Sequence, residues 1–337
     1  MLNSRQLQVS YIFRKQNPLF FSIEKIFSQV INALKDRIAI SQVRVPHSRV
    51  RLGSVLKNFW ALRKQKADVY HITGDAHYLA LAFSSKKTVL TIHDCVFMHQ
   101  GGKLKSMLLK FLFLKWPVKH AAIITTISEK SREEIIRYTG CSPDKVIVIP
   151  NPLDNKFSHV KKEFNAIAPV ILFIGSTPNK NLRKAIEAVK GISCVLDIVG
   201  VIPADLQKLM DDAQINYRQS AGISDEQLVK KYVECDMVLF PSTYEGFGLP
   251  IIEAQQTGRP IVTSNISPMK EVAGNAACLV DPNSVQSIKE GVLKIIHDDN
   301  YRDSLIKNGF TNAQRYNSEQ VANEYFLVYQ RLIASSN

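Results

Sequence analysis

Two α/β domains, each built on a parallel sheet, are what this sequence predicts, and three observations predict them. The chain has 337 residues, and domains usually run to ~100–200 residues, so the length suits two. Short β-rich apolar runs alternate with amphipathic stretches along most of it, as expected of strands buried on both faces and separated by helices. Near the middle, Pro150, Asn151, Pro152 and Asp154 form a turn-rich segment that reads as a linker.

The candidate strands are Val69–Ile72, Thr88–Ile92, Ala122–Thr126, Val146–Ile149, Val170–Ile174, Val195–Val199, Met237–Phe240 and Pro260–Thr263. Ser128 suits the cap of a helix through Tyr138 that Gly140 stops, although Ser131 and Glu134 have capping-box spacing and offer a second start. Pro250 suits a first helical position and Gly258 the end of that helix. Ser318 to Ala334 reads as one amphipathic helix. Ligands of such sheets bind outside the carboxyl ends of the strands.

The apolar fraction is 45% and the charged fraction 22%, both ordinary for a globular protein. The net charge of +13 is unevenly spread: residues 1–155 hold 24 basic and 10 acidic groups, net +14, and the rest net −1. That field favours anionic partners such as phosphates, acidic lipids or nucleic acid, or else is a solvated basic surface. Cys95, Cys141, Cys194, Cys235 and Cys278 are odd in number and far apart, which fits reduced thiols of a cytosolic protein and neither a disulfide framework nor a zinc site. Arg14, Lys15 and Pro18 break the apolar residues after Val9, against a signal peptide. The near-apolar run Met107 to Leu114 is broken by Lys110 and is far short of a membrane span. A soluble or peripheral protein is expected.

The segment Pro241-Ser-Thr-Tyr-Glu-Gly-Phe-Gly-Leu-Pro-Ile-Ile-Glu253 carries the strongest chemical signal. A strand ends at Phe240, a loop holds Glu245, Gly246 and Gly248, and a helix begins near Pro250 with Glu253 in its first turn. Glycines let the backbone approach a ligand, and free N–H groups at a helix start hold phosphate. A carboxylate would repel phosphate, so Glu245 and Glu253 are expected to meet hydroxyl groups, as of ribose and sugar. A second loop, Gly175 to Leu182, follows the strand ending at Ile174. It places Lys180 at a turn into a helix, a geometry suited to a diphosphate. His93 falls just past the carboxyl end of Thr88–Ile92. Asp94 beside it reads equally as a turn-forming residue or an acceptor-site group.

The Glu245-to-Glu253 string resembles the E-x7-E signature of the family 4 retaining glycosyltransferases. Further landmarks occur in family order: Asp68-Val-Tyr-His, Thr91-Ile-His-Asp94, Thr126-Ile-Ser-Glu-Lys-Ser-Arg132, Ile149-Pro-Asn151, Phe173-Ile-Gly-Ser-Thr-Pro-Asn-Lys-Asn-Leu182 and Gly258-Arg-Pro-Ile-Val262. The resemblance covers the chain from about Asp68. It implies the GT-B fold, two Rossmann-like domains with parallel sheets facing a central cleft. Residues 1–155 would bind acceptor, 156–317 would bind a nucleotide-sugar, and a helix in 318–337 would pack back towards the N-terminal domain.

By the same resemblance Glu253 binds the ribose hydroxyls. Glu245, Lys180 and His93 serve the reacting centre: Glu245 and His93 meet the donor sugar and Lys180 the diphosphate. Gly175, Ser176, Gly246, Phe247, Gly248 and Leu249 complete the donor site, with no cofactor and no metal. The chain departs from the family pattern in two places. Where the family supplies Arg as well as Lys, this loop has Ser176, Thr177 and Asn179. Residues 1–40 hold no glycine, where many members have a strand and a Gly-Gly loop. Instead Phe20-Phe-Ser-Ile-Glu-Lys-Ile-Phe27 leads into an amphipathic helix; Ser22 and Glu24 would either cap it, the favoured reading, or meet acceptor.

Lys103, Lys105, Lys110, Lys115 and Lys119, among apolar residues and Trp116, make a basic amphipathic segment. It would either rest on an anionic membrane or pack on the first sheet with its lysines in water. The expectation is a metal-independent, retaining hexosyltransferase using a UDP- or GDP-linked sugar. Its acceptor would be a glycan or a lipid-linked glycan in envelope or capsule polysaccharide, including lipopolysaccharide, synthesis. It would be cytoplasmic, peripheral at the inner face of the plasma membrane, and without nucleic acid. The alternatives are a non-catalytic GT-B partner subunit and a basic nucleic-acid-binding protein.

Overall fold

The computed structural model describes residues 6–15, 22–47, 52–95 and 111–335. Phe20, Phe21, Lys103, Lys105, Lys110, the start of the Met107–Leu114 run and the Ser22 side chain lie outside what is described. The chain forms two compact units, one ending at Pro152 and resuming at Ser318, the other spanning Leu153–Asn317.

The first unit contains β1 (Gln8–Phe13), α1 (Ser22–Leu34), β2 (Ala39–Arg44), α2 (Leu52–Leu62), β3 (Val69–Ile72), β4 (Thr88–Ile92), α3 (Trp116–His120), β5 (Ile123–Thr126), α4 (Glu129–Thr139), β6 (Val146–Val148) and, after the second unit, α12 (Ser318–Ala334). Its strands are all parallel in the order β2-β1-β3-β4-β5-β6. Alternation along β1 feeds two cores. Val9, Tyr11 and Phe13 pack with Phe27 and Val30 of α1 and Tyr325 and Tyr329 of α12. Ile12 packs on the other face with Ile72, Leu90, Ile124, Leu62 and Ile135.

Two ends in this unit were ambiguous in the sequence. Ser128 is the cap of α4, accepting from the Ser131 amide at 3.2 Å, and Gly140 closes it at φ 69°. Glu24 lies in the first turn of α1, but its carboxylate accepts from Arg14 Nε at 3.1 Å and Nη2 at 3.2 Å. An N-terminal strand is present as β1, although the glycine loop is not.

A polar thread crosses the first core. His71 is bonded at 2.7 Å to the Tyr329 hydroxyl through Nδ1 and at 2.7 Å to Thr91 Oγ1 through Nε2. Thr91 Oγ1 lies 2.7 Å from Thr125 Oγ1, and the Tyr329 hydroxyl donates to that of Tyr11 at 3.1 Å. Burial drives the His71 pKa down to about 3, so its imidazole stays neutral. Each ring nitrogen is satisfied, which is what makes the burial of so many polar groups affordable.

The second unit contains β7 (Val170–Ile174), α5 (Leu182–Val189), β8 (Val195–Val199), α6 (Ala204–Asp212), β9 (Asn216–Ser220), α7 (Asp225–Glu234), β10 (Met237–Phe240), α8 (Leu249–Thr257), β11 (Ile261–Ser264), α9 (Met269–Ala273), β12 (Cys278–Val280), α10 (Val285–His297) and α11 (Asp299–Ala313). Its order, β12-β11-β10-β7-β8-β9, is that of the doubly wound dinucleotide-binding sheet. Strand order reverses between β7 and β10, which pair directly. The five cysteines are all free thiols. Burial raises Cys95 and Cys235 to about 12, so neither is a nucleophile. Among the described residues no helix is long and apolar enough to cross a membrane.

Candidate functional site

The reversal point in the second sheet fixes where a ligand can bind. A crevice opens outside the carboxyl ends of the two strands that flank such a point. The loops leaving β7 and β10 hold the 175–181 and 241–248 segments, so the topology brings together stretches at least 60 residues apart. Backbone and side chains stitch the loops to each other. The Thr243 amide donates to Asn179 O at 2.8 Å, Asn179 Nδ2 to Tyr244 O at 2.9 Å, and Asn181 Nδ2 to Pro241 O at 3.1 Å.

Within this frame Lys180 Nζ lies 2.6 Å from Glu245 Oε1 and 5.0 Å from the Phe240 ring centroid. The ammonium is therefore held against both a carboxylate and an aromatic face, on the inner side of the loop. Gly175 is required by that path. It sits at φ +91°, and a Cβ there would come within 2.9 Å of Lys180 Cγ. Ser176 follows, its hydroxyl packed against Gly200, where a Cβ would lie 2.9 Å from Oγ.

Two helix starts face the same loops. Asn181 precedes α5 at φ 66° and Gly248 precedes α8 at φ 113°, and neither helix has a side-chain cap. Asn181 spends its side chain on the Pro241 and Pro282 carbonyls instead. A helix start without a side-chain cap leaves amides for an anion. Phe247 is buried, its ring packed edge-on to Tyr316 at 5.5 Å. Only its main chain remains for a ligand, alongside Gly246, Gly248 and Leu249.

Helix α8 begins at Leu249, one residue earlier than the sequence suggests, with Pro250 second. This moves Glu253 out of the first turn to the fifth helical position. The physical reason is that Gly248, free to adopt φ 113°, ends the loop before the proline. Glu253 Oε2 accepts from the Tyr232 hydroxyl at 2.6 Å. Tyr232, on α7, is a residue that sequence reasoning passed over, since a tyrosine in an amphipathic helix reads simply as core.

His93 belongs to the first unit. Its Nε2 donates to Thr73 O at 2.9 Å, and a carbonyl can only accept, so Nε2 carries the proton. Burial lowers its pKa, leaving a neutral ring with its lone pair on Nδ1. Gly74, at φ +139°, makes room for the ring: a Cβ there would meet His93 Cδ2 at 2.7 Å. Strand order in this sheet reverses between β1 and β3. Just past those strands Arg14 pairs with both Glu24 and Asp75. That cluster has no sequence motif, because its members lie 10 and 61 residues apart. Among the described residues no set of His, Cys, Asp and Glu side chains converges as metal ligands.

Two doubly wound parallel sheets in one chain are the fold class of the GT-B transferases. Residues 154–312 match the model of the glycosyl transferases group 1, and residues 2–157 match that of Glycosyltransferase Family 4. The chain belongs to the family 4 glycosyltransferases. It is 28% identical over 308 residues to the O-antigen chain mannosyltransferase B of Escherichia coli, covering 84% of this chain and 79% of that protein. It is 25% identical over 243 residues to the serotype-specific mannosyltransferase WbdA of E. coli, covering 65% of this chain but only 30% of that longer one. Among solved structures, HepE of Anabaena in complex with UDP and glucose superposes with a TM-score of 0.77 at 15% identity, covering 96% of this chain and all of the other. The fold class and the glycosyltransferase activity are those expected, and neither alternative function is favoured.

Proposed function

We propose that this glycosyltransferase moves a hexosyl group, with mannosyl the first to test, from a UDP- or GDP-linked sugar to a glycan or lipid-linked acceptor. Its product would be a cell-envelope or capsule polysaccharide such as a lipopolysaccharide chain. The observation that carries the reading is the Lys180–Glu245 pair at the reversal point of the second sheet, between two helix starts without side-chain caps. When the sugar–phosphate bond breaks, charge builds on the departing diphosphate. A preorganised ammonium and main-chain amides stabilise that charge most strongly in the transition state. Glu253 accepts from ribose hydroxyls and Glu245 contacts the sugar. On the first unit, the neutral Nδ1 of His93 is left to accept from a sugar hydroxyl. The anomeric configuration is retained without a metal: the acceptor attacks from the face the diphosphate leaves, and the diphosphate takes the acceptor proton. That route asks for no side-chain nucleophile.

The first unit takes the acceptor, and a basic groove on it supports contact with an anionic membrane at the inner face of the plasma membrane. The groove, of about 860 Å³, is lined by Lys86, Lys115, Lys119, Lys145 and the half-exposed Trp116 and Phe111. It lies at the amino ends of β4, β5 and β6. Interfacial aromatics beside lysines suit acidic headgroups.

Thermal unfolding in the presence of UDP-, GDP-, UDP-sugar and GDP-sugar ligands tests the donor class, because a ligand of the native state raises Tm. A rise with one base only, followed by transfer of its sugar with the α-anomeric bond kept, is expected. No rise with any of them overturns the reading.

A further inference from the structure

We infer that Tyr232 is a positioning residue for the donor nucleotide: its hydroxyl fixes the Glu253 carboxylate in the orientation that selects a ribose. The inference rests on the assignment of Glu253 to the ribose. The Tyr232 hydroxyl donates to Glu253 Oε2 at 2.6 Å, a short charge-assisted bond of the kind that locks a rotamer. Glutamate has three side-chain torsions, and a bond to one oxygen removes most of its freedom while directing the remaining lone pairs.

Tyr232 is itself held from three sides. Its ring is fully buried and stands edge-on to Phe157 at 5.2 Å. The carbonyl of the same residue accepts from Arg259 Nε at 2.9 Å. Arg259 Nη2 also donates to Val233 O at 3.1 Å and Val160 O at 2.9 Å. A buried guanidinium thus gathers the last carbonyls of α7, where a positive charge is also favoured by the helix dipole. At the other end Ser224 and Gln227 close a capping box on α7. Both ends of the helix are tied down, and the phenol is held with them. Burial, and then the charge of Glu253, push the Tyr232 pKa well above its ordinary value, so the group remains a proton donor throughout the working pH range.

Arg259, Tyr232 and Glu253 therefore form one chain of contacts. It runs from the loop between α8 and β11, through the end of α7, to the carboxylate on α8. A purely structural tyrosine would not need its oxygen at this carboxylate, and its loss would act on stability alone. A positioning tyrosine acts on how well the ribose is told from a deoxyribose.

The test compares wild type, Tyr232→Phe, Arg259→Lys and Glu253→Ala by calorimetric titration with UDP, GDP and their 2′-deoxy and 3′-deoxy forms. In Tyr232→Phe the ring and its packing on Phe157 remain. Its affinity for the favoured ribonucleoside diphosphate is expected to fall about tenfold, the scale of one hydrogen bond to a charged group. Affinity for the deoxy form that lacks the contacted hydroxyl should hardly change, so discrimination shrinks by the same factor. Arg259→Lys should give the same ribose-specific loss, and Tyr232→Phe should add nothing in a Glu253→Ala background. Full discrimination in Tyr232→Phe with lost discrimination in Glu253→Ala overturns the positioning role and leaves the Glu253 assignment standing. Full discrimination in both variants overturns the two together.

Discussion

Lys180 Nζ and Glu245 Oε1 lie 2.6 Å apart, so a cation suited to a diphosphate is paired with a carboxylate of its own site. On the proposed donor site, a bound diphosphate would compete with that carboxylate for the ammonium, and the carboxylate would repel it. The pair would then hold the ammonium in place when no donor is bound and oppose binding slightly when one arrives.

Glu245→Gln should separate these effects. Affinity for UDP or GDP should rise several-fold as the negative charge is removed, while kcat for sugar transfer falls. Isothermal titration alongside steady-state kinetics reads both, and a parallel fall in affinity would contradict this account.

Lys180→Ala and Glu253→Ala should each lower transfer by at least ~10²-fold, as losses of preorganised groups do. The circular dichroism spectrum should be unchanged. Full activity in both variants would remove the donor-site assignment.

Gly175→Ala should mimic Lys180→Ala. The added methyl meets Lys180 Cγ at 2.9 Å and strains a backbone at φ +91°. Nucleotide affinity measured by titration should fall, even though no charged group has been removed.

Removing the charges of Lys86, Lys115 and Lys119 together should weaken sedimentation with phosphatidylglycerol vesicles and leave nucleotide affinity intact. Wild-type binding should fade as salt rises. Equal loss of both affinities would point to misfolding.

Acid should destabilise the protein before its carboxylates titrate. Burial lowers the folded pKa of His71, His77 and His93 below the ordinary 6.5. The unfolded chain then binds more protons between the folded and ordinary values. Stability is full above about pH 6.5 and declines as pH falls towards the folded values, which for His71 is about 3. His71→Gln should flatten the fall of the unfolding midpoint between pH 6.5 and 4.

What was legible in the sequence follows from burial. All eight candidate strands exist, because each is an apolar run within a sheet that helices cover. Among the described residues, four strands escaped, each for a physical reason. β2 and β9 are partly exposed edge strands, so no apolar run marks them, and β12 is only 3 residues long. β1 is central, but Ser10 interrupts its apolar residues. At the site, Glu245, Lys180 and Glu253 stood out through glycine spacing and family resemblance. Tyr232 and Arg259 did not. Their significance lies in contacts across 21 and 27 residues, which no local pattern encodes. The Glu253 turn was misjudged because a proline draws attention to itself as a helix start, while the glycine before it set the boundary.

Helix α12 supplies Tyr325, Tyr329 and Val321 to the core under β1 and β3, yet it is synthesised after the whole second unit. A ribosome making this chain therefore releases a first domain that still lacks one wall. The later, uninterrupted domain is the earlier one able to close. Until the final turns emerge, the aromatic face around Phe27 and His71 stays open to water, and a nascent chain stalled before residue 318 would be a substrate for chaperones.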